Sequence, residues 1–280
     1  MIVDSHLHIW DLDRGGYHWL RRLDDPRHPL RRSFGPDEAA AELAVAGVDL
    51  AVLVQAEDSV RDTAYLLEVA AKYDVVAGVV GWVRLDDPAT AEAQLVEYGA
   101  ALVGVRHLVH DDPRDDFLAL PRVRRSLALL AERGLPFDVP DAWPRHLAAT
   151  AELADALPSL TVVVDHLGKP PRGRDLGPWA ETLRAVAARP NTVAKLSGLQ
   201  QPGQPFTTEA LRPVVEIALE EFGADRLMYG GDWPMTVPAG GYAAHWDVIR
   251  GLVDELTEAE RAGVLHGTAT RIYGLEGGAR

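Results

Sequence analysis

The sequence predicts an α/β protein, a single (β/α)8 TIM barrel spanning residues 1–280. Three observations carry that prediction. Eight short runs rich in valine and leucine alternate with eight stretches of helical period. A helix after each run carries the chain back across the sheet, so neighbouring strands run parallel. The length of 280 residues is also close to the ~250 residues of such a barrel. An open doubly wound sheet is the competing architecture, but "DRGG" and "YGGD" lack the glycine spacing of a dinucleotide-binding loop.

Taken in order, "MIVDSHLH" is the first strand. The irregular stretch from Asp11 to Pro36 that follows it holds aromatic and basic residues, and in a barrel it is a loop on the catalytic face. A helix over about 37–46 completes the first unit. "VDLAVLVQAE" then pairs with a helix over about 59–73, "VVAGVVGWVRL" with 88–98, and "ALVGVRHLV" with 118–133. "LPFDV" pairs with 144–156, "LTVVVDHL" with 178–188, "NTVAKLSGL" with 207–222, and "RLMYGGDW" with 242–256. In "RVRRSLALLAERG", Val123, Leu127 and Leu130 form an apolar stripe, and Gly134 is suited to end the helix. Thr257 and Glu260 have the spacing of a capping box, which starts a further helix.

Composition excludes several classes. No cysteine is present, which removes disulfides, thiolate metal sites and cysteine nucleophiles and fits a reducing compartment. Lys and Arg number 28 against 42 Asp and Glu, for a net charge of −14. That surface repels a phosphate backbone, so nucleic acid is not an expected partner. No secretory leader and no membrane-length apolar run is visible, so the cytoplasm is the expected location and no membrane partner is indicated.

The polar residues sit where a barrel gathers its active site, at the C-terminal strand ends. In an extended strand Asp4, His6 and His8 share one face. In the sixth run Val162, Val164 and His166 share a face and Asp165 points the other way. Asp232 ends the eighth run. Arg106, Lys195, Gln55 and Asp138 come from the fourth, seventh, second and fifth. Each alone has a plainer reading. An HxH pair arises by chance, His166 serves as a structural histidine, and Asp232 starts a turn. Lys195 and Arg106 pair with Asp138 or Asp4 as buried ion pairs. The coincidence at seven strand ends favours a functional site. His6, His8, His166 and Asp232 form a plausible shell for one divalent cation, zinc or a neighbour, leaving a position for water. Asp232 is then placed to take a proton from that water and return it to a leaving group.

"DSHLHIWD", "GVRHLVHDDP", "DHLGKP", "KLSGL" and "GGDWP", in that order, resemble the amidohydrolase superfamily. Within it they are similar to the sugar-lactone hydrolases acting on L-fucono- and L-rhamnonolactone, and more distantly to 2-pyrone-4,6-dicarboxylate hydrolase. "YHWL" in the first loop and the final "GTATRIYGL" extend the likeness over nearly the whole chain. The resemblance implies a metal and catalytic set of His6, His8, His166 and Asp232. Binuclear members carry a lysine or glutamate at strand four and a further histidine at strand five. Here those places hold Arg106-His107 and Phe137-Asp138, so the expectation is one ion at most, or none, as in some members of this branch. The expected reaction is hydrolysis of a neutral, small-molecule sugar lactone. Asp232, His166 and Arg106 act at the carbonyl, and Lys195, Gln55, Asp138, Trp10 and Trp233 contact the sugar. A metal-dependent decarboxylase, a 2-pyrone-4,6-dicarboxylate-type lactonase and a silent ligand-binding barrel are the alternatives. A homo-oligomer is left open.

Overall fold

The computed structural model describes residues 1–275, and the last five positions of the expected 1–280 domain lie outside the described residues. Eight parallel strands form one sheet in sequence order: β1 (Val3–Leu7), β2 (Leu50–Val54), β3 (Val76–Gly81), β4 (Leu102–Arg106), β5 (Phe137–Val139), β6 (Val162–Val164), β7 (Thr192–Leu196) and β8 (Leu227–Tyr229). Just beyond β8, Leu7 and Trp233 make a parallel bridge. The amide of His8 donates to the Trp233 carbonyl at 2.7 Å, and the amide of Asp232 to the His6 carbonyl at 2.7 Å. The last strand is thereby tied back to the first and the barrel closes.

One long helix follows each strand: α1 (Pro36–Ala46), α2 (Val60–Ala70), α3 (Pro88–Tyr98), α4 (Pro121–Glu132), α5 (Leu147–Ala156), α6 (Gly177–Ala187), α7 (Thr208–Phe222) and α8 (Gly241–Val253). Their starts follow local chemistry. The side chains of Ser59, Asp87 and Thr207 accept from backbone amides in the first turns of α2, α3 and α7. Proline occupies the first or second position of α1, α3, α4 and α6, where its missing N–H costs nothing. α4 begins at Pro121 rather than 118, because Phe117–Ala119 form a separate 3-10 turn that a proline can follow but not enter. The short α9 (Glu258–Ala262) carries the capping box read from Thr257 and Glu260, and α10 (Thr268–Tyr273) follows.

Two apolar layers hold these elements. Val3, Val52, Val54, Val80, Val163 and Met228 fill the barrel centre together with Tyr273 of α10. Leu7, Leu53, Val105, Val162 and Val164 face the helical ring. Strand β6 corrects one expectation. Its central-layer residue is Val163, so Val162 and Val164 do not share the inner face with His166. Asp165, two residues after Val163, turns inward as well. His166 re-enters the mouth because the backbone leaves the extended region there, with φ 57° and ψ 30°. Alternation of faces holds only while the chain stays extended.

The segment 11–35 folds as a strap over the C-terminal mouth. Its base is pinned by reciprocal amide–carbonyl bonds between Trp10 and Phe34 (3.0 and 2.9 Å). Its far side is anchored by Tyr17, whose hydroxyl donates to the buried Asp62 carboxylate at 2.9 Å.

Candidate active site

The first strand delivers its histidines through a register irregularity between Asp4 and Leu7. Asp4 does not join them in the mouth. Its carboxylate accepts from the amides of Gly231 (2.7 Å) and His6 (2.9 Å) and from the Tyr242 hydroxyl (2.8 Å). Burial pushes its pKa up to about 6 against those bonds, which favour the charged form. Asp4 is therefore a clamp between β1 and the end of β8.

His6 Nε2 and His8 Nε2 face each other at 3.1 Å. Asp232 Oδ1 lies 3.5 Å from His8 Nε2, 3.9 Å from His6 Nε2 and 4.0 Å from His166 Nε2. Ligands about 2.0–2.1 Å from a tetrahedral ion stand roughly 3.3 Å apart. His6, His8 and Asp232 thus match the separations of a single mononuclear centre, with His166 beside them. The far nitrogens are engaged. His8 Nδ1 sits 2.8 Å from the Val54 carbonyl, which fixes an N–H there and leaves Nε2 free to ligate. His166 Nδ1 lies 2.8 Å from Ser197 Oγ.

The electrostatics suit neutral imidazoles around an ionised acid. Burial holds the pKa of His6 well below its ordinary value, although Asp165 favours its charged form. Burial lowers His166 too. Burial alone would raise Asp232, but His166, His8 and His6 hold it well below the usual carboxylate range. Its second oxygen accepts from the Gln200 side chain at 2.8 Å.

Beneath the histidines lies an ion network with no solvent exposure. Lys195 Nζ is 2.6 Å from Asp138 Oδ2, 3.0 Å from Asp165 Oδ1 and 3.1 Å from His6 Nδ1. Tyr273 donates its hydroxyl to the same Asp138 oxygen at 2.7 Å. Arg106 Nη1 reaches Asp165 Oδ2 and His6 Nε2, each at 3.2 Å, and Nη2 donates to the Gln55 carbonyl.

Above them opens a cavity of about 140 Å³. That is below the ~300–1,000 Å³ of a drug-sized site and suits a small molecule. His8, Trp10, Arg106, His166 and Asp232 line it, as the sequence suggests. Gln55, Asp138, Lys195 and Trp233 do not, which corrects four expected sugar contacts. Lys195 and Asp138 are instead the buried ion pair of the plainer reading. Gln55 spends its amide on Asp58 (3.0 Å) and the Arg106 carbonyl (3.4 Å) and holds Arg106 in place. Trp233 is fully buried edge-on against Phe34.

Sequence reasoning missed Asp165, Ser197 and Gln200 around the cluster, and Trp19, Asp111, Asp141 and Lys169 on the wall, where Arg22 arrives from the loop expected on the catalytic face. His110, within the quoted "GVRHLVHDDP", also lines the cavity. Asp165 had one signal: buried cations at strand ends need acidic partners. Outside glycine, the left-handed backbone positions among the described residues are Tyr17, Asp141, His166, Leu167, Lys169 and Asp232. Strain of this kind, ~1–3 kcal/mol each, gathers at functional sites.

The chain matches the family model described as Amidohydrolase over residues 3–275. It is similar to an L-fucono-1,5-lactonase of Burkholderia ambifaria, at 36% identity over 246 residues, covering 86% of this chain and 82% of that protein. An L-fucono-1,5-lactonase of Burkholderia multivorans is 32% identical over 291 residues, covering 98% and 96%. Among solved structures, a Burkholderia multivorans amidohydrolase with bound zinc superposes with a TM-score of 0.86 at 29% identity, covering 98% of this chain and 99% of that one.

Proposed function

The chain belongs to the amidohydrolase family, and from that membership we propose that it hydrolyses a neutral sugar lactone of the L-fucono- or L-rhamnono-lactone type. The observation that carries the choice of substrate is the charge balance of the cavity wall. Arg22, Arg106 and Lys169 face Asp111, Asp141 and Asp232 across it. Arg22 forks onto Asp111 at 2.7 and 2.5 Å. Arg106 is held by Asp165, and Lys169 donates to the Gly198 carbonyl at 2.9 Å. Of the other loop arginines, Arg14 is turned away to Glu68 at 2.7 Å. A dicarboxylate needs cations with free donors converging on it. A polyhydroxylated neutral ring needs mixed donors and acceptors, and this wall offers both.

The relatives and the donor set His6, His8 and Asp232, with His166 beside it, support a divalent metal, and we take it to be one zinc ion. Such an ion acidifies a bound water to a pKa near 7 and polarises a carbonyl. The chain's own residues do the rest. Asp232 is ionised and takes the proton of the attacking water, while Gln200 donates to its Oδ2. Water's oxygen bonds to the lactone carbonyl carbon, and Arg106 is close enough to stabilise the oxyanion that forms. The bond from that carbon to the ring oxygen breaks, and Asp232 returns its proton to the departing oxygen, giving the hydroxy acid. Trp10 at the strap's base and Trp19 within it wall the ring in. The same reading takes residues 1–280 as one domain working in the cytoplasm on a small molecule.

The test is a pH-stat assay on protein of measured metal content. L-fucono-1,5-lactone and L-rhamnonolactone are compared with 2-pyrone-4,6-dicarboxylate and aromatic carboxylates. Acid release with the highest kcat/KM on a sugar lactone is expected. Preference for the dicarboxylate, or CO₂ release, would overturn the assignment.

A further inference from the structure

Besides Arg106 Nε in the catalytic cluster, the cavity wall leaves two polar atoms unused. Trp19 Nε1 and Asp141 Oδ1 are both shielded from solvent and make no hydrogen bond, although both residues line the cavity. The nearest cation to that carboxylate oxygen is Lys169 Nζ at 3.8 Å, beyond hydrogen-bonding reach. Buried polar atoms are nearly always satisfied, so such exceptions ask for a partner that arrives later. One of the two is a pure donor and the other, as a carboxylate, a pure acceptor. Asp141 is ionised: burial would raise its pKa, but Lys169, His166 and His110 together hold it below the usual range. The backbone is left-handed at Asp141 (φ 45°) and at Lys169 (φ 67°). A lysine or aspartate is kept there only when the surroundings fix it.

The two atoms also stand on opposite supports. Trp19 comes from the strap, within the His18–Arg22 turn, and is packed edge-on against Trp10 with ring centres 5.3 Å apart. Asp141 comes from the loop after β5. Their positions are therefore set independently of each other and of the catalytic cluster.

We propose that Trp19 and Asp141 are the residues that read ring hydroxyls, Asp141 accepting from one hydroxyl and Trp19 donating to the oxygen of another. The proposal rests on the lactonase reading and adds the determinant of its specificity. A lactone without hydroxyls would leave both atoms unpaired in the cavity wall, and a site built to bond a hydroxyl rejects an analogue that lacks it.

The experiment compares kcat/KM for L-fucono-1,5-lactone and for unsubstituted δ-valerolactone in wild type, Asp141→Asn and Trp19→Phe, with thermal melts as a folding check. The phenylalanine keeps an aromatic wall and removes the N–H. Wild type should prefer the hydroxylated ring. A charged hydrogen bond is worth roughly ten- to a hundred-fold, and a neutral one up to about ten-fold. The ratio of the two substrates should therefore fall by those factors in Asp141→Asn and Trp19→Phe respectively. Equal losses on both lactones would assign the residues a structural role and overturn the proposal, and so would an unchanged ratio. Wild-type protein that opens neither lactone would instead fail the lactonase reading, and this inference with it.

Discussion

Replacing Lys195 with methionine removes the one cation among the described residues that touches both Asp138 and Asp165 inside the barrel. The three side chains are without solvent exposure, at 2.6 and 3.0 Å. After the change Asp138 keeps only the Tyr273 hydroxyl, while Asp165 keeps Arg106 at 3.2 Å. Breaking a buried pair by removing one partner costs about 3–5 kcal/mol. Protonation of Asp138 limits that cost, and this gives the loss a pH signature. Burial already pushes Asp138 from 3.8 up to about 6, against the opposing pull of Lys195. Without the lysine it rises further. The folded state then binds a proton that the unfolded state does not, so stability is greatest at low pH and falls as pH climbs through the folded-state value. Above pH 6 the deficit relative to wild type should grow by about 1.4 kcal/mol per pH unit until the new pKa is reached. Urea unfolding of both proteins at pH 6, 7 and 8 measures it. A deficit below about 1 kcal/mol, or one that does not change with pH, would refute the placement of this lysine as the counter-ion of Asp138.

Asp232→Asn should fold, because Gln200 can rotate its amide and present Oε1, which has no partner now, to the new N–H. Its kcat should fall ~10²–10⁴-fold for loss of the proton acceptor, and wild-type turnover would make Asp232 structural. Gly198 has φ +58°, and a methyl group there would overlap the His166 ring, whereas Gly203 has φ +75° with open space around it. Gly198→Ala should therefore lose at least about ten-fold in kcat, and Gly203→Ala only stability, read by activity and thermal melts. Equal effects would separate His166 from catalysis. Metal analysis after reconstitution should find at most one divalent ion per chain, since Lys195 Nζ sits 3.1 Å from His6 Nδ1, the nitrogen that would face a second. Two ions would contradict that placement.

The barrel was legible because its evidence is repetitive: eight apolar runs, eight helical stretches, and caps such as Thr257 and Glu260. His6, His8 and Asp232 were legible because a strand end has a known direction. Asp165 was lost because His166 was taken to set the phase of the strand, whereas the backbone turns left-handed at His166 and lets two consecutive side chains face inward. Lys195 and Asp138 were placed on the correct strands but too high in the mouth. Depth along a barrel axis depends on register, and the register of β7 against β8 is a property of the folded sheet. Trp19, Asp141 and Lys169 come from loops, whose reach is set by turns that leave no period in the sequence. For Gln200 we find no signal.

The clamp from Asp4 to Gly231 spans 227 positions, and its consequence lies in time. A ribosome must release almost the whole chain before the first strand meets its last neighbour. Until then His6 and His8 have no Asp232 and the barrel has two open edges. Pairings this distant are slow to form. Recovery of turnover after dilution from urea should lag behind recovery of helical signal, so the catalytic centre serves as a stopwatch for ring closure. A half-built chain has no half-active site.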